Sequence, residues 1–307
     1  MESTGEELYA KPCFRGYSRG KETLSMRPRR SALFMPGINE RAMQKARSLR
    51  CDVIIFDLED AVAPDSKIHA RGLVREVIEQ GGYGNRELVV RCNGIETPWC
   101  HDDVETMVTT DVDGLLFPKV ERAEQVYEIR RRLDALDGPK KNVWVMIETP
   151  RGVTNVEKIA ESPADVLVMG TSDLVADLRA QHTDNRDSVL YALSRCVNAA
   201  RSEQRDILDG VHLDLENNNS LEKVCEQGRS LGFDGKCLIH PSQIATANRI
   251  FGVDEDVLLR AKQITEIWAE ALSAGKGVAV MNGQLIEKLH YEEACRLIAY
   301  SELIEDV

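Results

Sequence analysis

Eight short apolar runs spaced through residues 31–240, each followed by a turn signal and mostly by a helical stretch, constrain this chain more than any other feature. They read "SALFMP" (31–36), "DVIIFDLED" (52–60), "ELVVRCN" (87–93), "GLLFPK" (114–119), "VWVMIE" (143–148), "DVLVMG" (165–170), "LDGVHLD" (208–214) and "GKCLIH" (235–240). They are rich in Val, Ile and Leu, as strands buried on both faces are. Helical segments such as "NERAMQKARSL", "RAEQVYEIRRRLDAL", "SVLYALSRCVNAARSEQ" and "SLEKVCEQGRSLG" lie between them. Strands alternating with helices imply right-handed βαβ units and a parallel sheet. Eight such units in about 210 residues predict an α/β fold, the (β/α)8 or TIM barrel. A doubly wound open sheet is the alternative. It needs a glycine-rich phosphate turn after the first strand, and "FMPGINER" matches G-x-G-x-x-G poorly.

The flanks read differently. Residues 1–30 are polar and irregular and predict an N-terminal arm, leaving 31–250 for the barrel. Residues 251–307 hold two helical stretches, "VLLRAKQITEIWAEALSA" and "YEEACRLIAYSELIED", joined by "GKGVAVMNGQLIEKLH". They predict a C-terminal helical extension. Gly275, Gly277 and Gly283 would make its connection mobile, as in a lid.

In a barrel of this type the chemistry sits at the C-terminal ends of the strands. The polar residues there are Asp57, Glu59 and Asp60, then Arg91 and Asn93, Lys119, Glu148, Asp173, Asp214 and His240. Glu148 is the least expected, because it follows five apolar residues and a buried carboxylate is costly without a positive partner. Glu148 and Asp173, from adjacent strands, can converge on one point. Oxygen ligands alone suit a hard divalent cation, and Mg²⁺ is usually held by one or two carboxylates plus water and substrate oxygens. Such an ion would offset the burial of Glu148. The competing readings are structural: Asp173 in "GTSDL" as a helix cap, Arg91 as a plain ion-pair partner of Glu59, and His240 as a packed barrel-end residue.

Composition narrows the partners. The formal net charge of −12 disfavours nucleic acid or an anionic membrane. No apolar run approaches the roughly 20 residues of a bilayer span. The first residues lack the apolar segment of a secretory signal and carry Glu2, Glu6, Glu7 and Glu22, unlike a mitochondrial presequence. A cytoplasmic protein is expected. The eight cysteines contain no C-x-x-C and predict buried, reduced thiols; a zinc site lacks its ligand spacing.

The strings "RRSALFMPGINERAMQKA", "DVIIFDLEDAVAPDSKIHAR", "VVRCNGIETPW", "GLLFPKVE", "MIETPRGV", "MGTSDL" and "LGFDGKCLIHPSQI" together resemble the HpcH/HpaI aldolase and citrate lyase β-subunit (CitE-like) superfamily. The likeness covers roughly residues 29–307 and is greatest to malyl-CoA and citramalyl-CoA lyases and malyl-CoA thioesterases. It implies a (β/α)8 barrel in homotrimers or homohexamers, binding Mg²⁺, with Mn²⁺ as the substitute, and a CoA thioester. By resemblance Glu148 and Asp173 match the metal ligands. Arg91 matches the arginine on the thioester or enolate oxygen, and Glu59 a carboxylate near the metal waters. Phe34, Arg41 and Lys45, with Arg30, Lys67 and Pro118, match segments that contact CoA or substrate. In the lyases a C-terminal Met-Ile-Asp stretch supplies an aspartate, often to a neighbouring subunit's site, as acid or base. Here "QLIEKLH" puts Glu287 in its place, and one extra methylene displaces the carboxylate by on the order of 1 Å.

The implied activity is carbon–carbon cleavage of a malyl-CoA-like or citramalyl-CoA-like thioester to acetyl-CoA plus glyoxylate or pyruvate. The alternatives are a (3S)-malyl-CoA thioesterase, a citrate lyase β subunit acting on an acyl-carrier protein, and a non-catalytic barrel. The C-terminal 50-odd residues, expected to be missing or variable in complex-bound β subunits, favour a free CoA enzyme.

Overall fold

A computed structural model describes residues 27–305; the expected arm, up to residue 26, lies outside them, as do residues 306 and 307. The chain divides into two compact units, a barrel at 29–251 and a unit that includes the segment from Gly252 onward.

The barrel strands are β1 (Ser31–Pro36), β2 (Val53–Asp57), β3 (Glu87–Arg91), β4 (Gly114–Phe117), β5 (Asn142–Ile147), β6 (Val166–Met169), β7 (Asp206–Asp209) and β8 (Gly235–Leu238). All pair in parallel in sequence order, and β1 closes on β8 with Ala32 opposite Cys237. Alternation explains why the runs are apolar throughout. Ala32, Val53, Ile55, Val89, Leu116, Trp144, Met146, Val166, Val168, Leu208 and Cys237 fill the lumen. Their neighbours, such as Leu33, Ile54, Phe56, Val90 and Leu115, pack outward under the helices. Each buried Val, Leu, Ile, Phe or Met among them contributes roughly 1.5–3 kcal/mol.

The floor of the barrel is sealed by charge. The Arg29 guanidinium donates to Glu87 at 2.6 and 2.8 Å and to Asp206, and lies over the Trp144 ring at 5.1 Å. Gly235 lets this arginine's backbone pass, since a Cβ there would sit 2.7 Å from its carbonyl carbon.

One strand differs from its expectation. The run placed at 208–214 is a strand only at its start, and β7 begins two residues earlier. Asp206 made the start of this strand look unlike one, and both of the strand's acids are paired: Asp206 with Arg29, and Asp209 with Arg186 and Lys236. Asp214 therefore stands in an exposed loop, accepting the N–H groups of Glu216 and Asn217.

The C-terminal segment carries its own core. Helices Glu255–Ser273 and Lys288–Glu305 pack on Ala261, Ile264, Trp268, Met281 and Ile286, with Trp268 stacked on Tyr291 at 5.9 Å. The connection expected to be mobile is a hairpin of β9 (Ala279–Met281) and β10 (Gln284–Ile286). Asn282 and Gly283, at φ of 51° and 78°, form its turn; Asn-Gly is the pair that tolerates two positive φ angles best. No described helix is long and apolar enough to cross a membrane. The seven described cysteines are all buried.

Candidate active site

The C-terminal mouth of the barrel encloses a cavity of about 370 Å³ lined by Phe34, Asp57, Asp60, Arg91, Met146, Glu148, Ser172 and Asp173, among others. The strand register assembles it. Asp57 and Arg91 end β2 and β3 side by side, and their side chains form a bidentate pair, Nε to Oδ1 at 2.7 Å and Nη2 to Oδ2 at 2.6 Å. Asp57 also accepts the N–H groups of Glu59 and Ala61, so the clamp on Arg91 is itself fixed. Phe34 of β1 lies under the guanidinium, 4.8 Å from its carbon. Burial opposes the arginine's charge, but Asp57 and then Glu59 outweigh it, and Arg91 stays protonated. Its main partner is thus Asp57, not the Glu59 considered from sequence. Nη1 approaches Glu59 Oε2 at 3.0 Å without hydrogen-bond alignment, and that oxygen has no hydrogen-bond partner.

Glu148, one residue past β5, is 3% exposed. Its Oε1 accepts the Lys119 N–H at 2.7 Å. Gly170, one residue past β6, packs flat against it: a Cβ there would come within 3.1 Å of Glu148 Cδ and closer still to Oε2 and Cβ. Burial, reinforced by the charges of Asp173 and Glu59, pushes the Glu148 carboxyl up to about 8. Burial also raises Glu59, against the pull of Arg91. Asp173 stands in the first turn of helix Thr171–Asp177 without capping that helix, and its side chain is partly open to solvent. Lys119 ties the group together, with Nζ 3.5 Å from Glu59 Oε1 and 3.7 Å from Asp173 Oδ2.

The donor set is oxygen only, and it fits a hard cation. Glu148 is buried among like charges, and Glu59 Oε2 and Ser172 Oγ are buried without hydrogen-bond partners. Among the described residues no group of three or more His, Cys, Asp or Glu side chains forms a closed metal cage. Two carboxylates with remaining positions open to water and ligand suit Mg²⁺ rather than zinc.

The other expected contacts disperse. Arg41 and Lys45 lie exposed one turn apart on helix Glu40–Ala46, just beyond the C-terminal end of β1. Pro118 is buried beneath Lys119 in the chain and is not among the cavity residues. Lys67 is committed inward, its Nζ donating to the carbonyls of Leu58 and Glu59 at 2.8 and 2.7 Å; it braces the loop after β2. Arg30 precedes β1, at the opposite mouth, locked to Asp52 at 2.7 and 2.8 Å. That removes it from a ligand site at this end. Glu287 belongs to the C-terminal unit, where its N–H donates to His290 Nδ1 at the start of the last helix. His240, two residues past β8, is exposed rather than packed, and its Nδ1 accepts the Ser242 N–H to cap the following turn. Sequence reasoning missed the roles of Asp57, Gly170 and the Lys119 backbone. Only the first left a signal, since aligning β2 with β3 places Asp57 opposite Arg91.

Comparison with known proteins identifies the family. Residues 30–241 match the model of the family described as HpcH/HpaI aldolase/citrate lyase. A (3S)-malyl-CoA thioesterase of Cereibacter sphaeroides is 40% identical over 278 residues, 90% of this chain and 96% of that protein. The citrate lyase subunit β of Leuconostoc mesenteroides is 32% identical over 85% of this chain and 89% of its own. Among solved structures, CitE from Mycobacterium tuberculosis in complex with magnesium, acetoacetate and coenzyme A superposes with a TM-score of 0.71. It is 28% identical and covers 89% of this chain and 97% of that one. The eight-stranded barrel, its mouthful of carboxylates around a clamped arginine and the match over most of the sequence agree: the chain belongs to the HpcH/HpaI aldolase/citrate lyase family.

Proposed function

We propose that this enzyme is a Mg²⁺-dependent carbon–carbon lyase acting on a malyl-CoA-like or citramalyl-CoA-like thioester, releasing acetyl-CoA and glyoxylate or pyruvate. The observation that carries the reading is Glu148: a buried carboxylate beside Asp173, with a fixed arginine across the same cavity. Glu148 and Asp173 would hold the ion, which supplies Lewis-acid polarisation of the substrate's oxygens. Arg91, immobilised by Asp57 and Phe34, turns Nη1 toward the cavity acids, where it can stabilise negative charge on the thioester oxygen as the bond breaks. Glu59 Oε2, buried and without a hydrogen-bond partner, can take the hydroxyl proton. The O–H electrons then form the new carbonyl, the C–C pair passes to the enolate, and a proton on carbon completes acetyl-CoA.

In a homotrimer or homohexamer a neighbouring copy's Glu287 would deliver that last proton. Arg41 and Lys45, exposed on one helix face, would meet the phosphates of CoA. Magnesium and coenzyme A in the M. tuberculosis CitE structure support this choice of ligands.

The Cereibacter relative favours a second reading, hydrolysis of the thioester to malate and CoA. The C-terminal residues do not separate the chain from citrate lyase β subunits, because the Escherichia coli subunit aligns over 90% of this chain and 94% of its own. Incubating the purified protein with malyl-CoA and Mg²⁺ decides between these readings. Glyoxylate plus acetyl-CoA establishes the lyase, and malate plus CoA the thioesterase. Neither product from malyl-CoA, together with neither pyruvate nor citramalate from citramalyl-CoA, overturns both.

A further inference from the structure

Lys119 is held in an unusual way. It follows β4 and Pro118 with φ of 54°, a left-handed conformation that costs a non-glycine residue roughly 1 kcal/mol or more. That conformation makes two contacts at once. The backbone N–H reaches Glu148 Oε1 at 2.7 Å, and the side chain turns back so that Nζ lies 3.5 Å from Glu59 Oε1 and 3.7 Å from Asp173 Oδ2. A glycine would supply the same N–H without strain. The ammonium is therefore what the strained lysine adds.

We propose that Lys119 is the internal counter-cation of the acidic site: its ammonium balances Glu59 and Asp173 until a divalent ion displaces it, so that this residue sets the metal affinity. The inference rests on the reading of Glu148 and Asp173 as the ligands. Two features make displacement feasible. The Lys119 side chain is 52% exposed, so its stem can swing outward. Its contacts exceed 3.2 Å, the upper end of a normal N–H···O bond, and are easily given up. Lys67 and Lys236 show the contrast. Each is buried, with Nζ donating twice at 2.6–2.9 Å, and neither is free to move.

The test is an equilibrium Mn²⁺ titration of the substrate-free protein, read by the electron paramagnetic resonance of the free ion. K119G and K119Q remove the charge, the first while easing the backbone; K119R keeps it. Loss of a half-exposed positive charge beside the ligands should tighten Mn²⁺ on the order of fivefold to tenfold in K119G and K119Q. K119R should stay within about twofold of the natural protein on the same grounds. Damage to the site would weaken binding, so tightening is not a generic consequence of mutation. Unchanged or weaker binding in the charge-removing variants overturns the proposal, as does equal tightening in K119R. E148Q separates the two levels. If it binds Mn²⁺ as well as the natural protein, the ligand assignment fails and this inference with it. If it abolishes binding while K119G and K119Q do not tighten, only the counter-cation role fails.

Discussion

Replacing Glu148 by glutamine should stabilise the metal-free protein while destroying its site. In the folded state burial, with Asp173 and Glu59 nearby, raises the Glu148 carboxyl from an ordinary 4.5 to about 8. A raised carboxyl holds a proton that the unfolded chain has already released. Stability from this group is therefore complete below about pH 4.5 and is lost progressively as the pH climbs to about 8. Each pH step of one in that window costs about 1.4 kcal/mol, so the whole window amounts to about 5 kcal/mol. The glutamine of E148Q would keep a carbonyl for the Lys119 N–H and carry no charge at any pH. The two proteins should melt together near about pH 5. Near about pH 9, in the presence of a chelator, E148Q should melt roughly 10 °C higher. Saturating Mg²⁺ should raise the natural protein through binding to the folded state and leave E148Q where it is. Differential scanning calorimetry across pH, with and without Mg²⁺, measures all of this. A gap that does not widen with pH, or an E148Q protein less stable than the natural one at high pH without metal, refutes the account of Glu148 as an uncompensated buried acid.

Gly170→Ala puts a methyl against the Glu148 side chain and should shift its carboxylate by on the order of 1 Å; kcat/KM should fall about a hundredfold, with a loss of stability of about 1–3 kcal/mol by thermal melting. Arg91→Lys breaks the bidentate pair with Asp57 and leaves a point charge unable to keep that geometry. Turnover, measured as product formed from malyl-CoA, should drop about a hundredfold or more while the fold persists. Asp209→Ala leaves Lys236 buried without its carboxylate and unpins Arg186, so chemical denaturation should show a loss of about 3–5 kcal/mol.

How much of this was legible follows from what each residue is buried against. Strands with two apolar faces announce themselves, and seven of the eight runs coincide closely with strands. The exception carries acids whose partners are remote in sequence: Arg29 lies 177 residues from Asp206, and Lys236 lies 27 from Asp209. A local pattern cannot register such pairing, so Asp206, with Ile207, reads as chain outside the sheet. The C-terminal hairpin is a different matter. Its Asn-Gly turn signal was present and was outweighed by the surrounding glycines.

The site divides along the same line. Carboxylates closing apolar runs stand out because their burial is costly, which is why Glu148 and Asp173 were visible as candidates. Cations do not stand out, because a lysine or arginine near a motif looks the same whether it faces ligand or seals the scaffold. Arg30 and Lys67 seal it, through Asp52 and through two carbonyls. Their commitment sharpens the electrostatic problem of the mouth. Asp57, Glu59, Asp60, Glu148 and Asp173 face only Arg91, Lys119 and the tethered Lys67, a formal excess of two negative charges. Protons can relieve it, and the raised carboxyls of Glu148 and Glu59 are that relief. On the proposed reading a divalent cation relieves it too, taking the place that the Lys119 ammonium gives up.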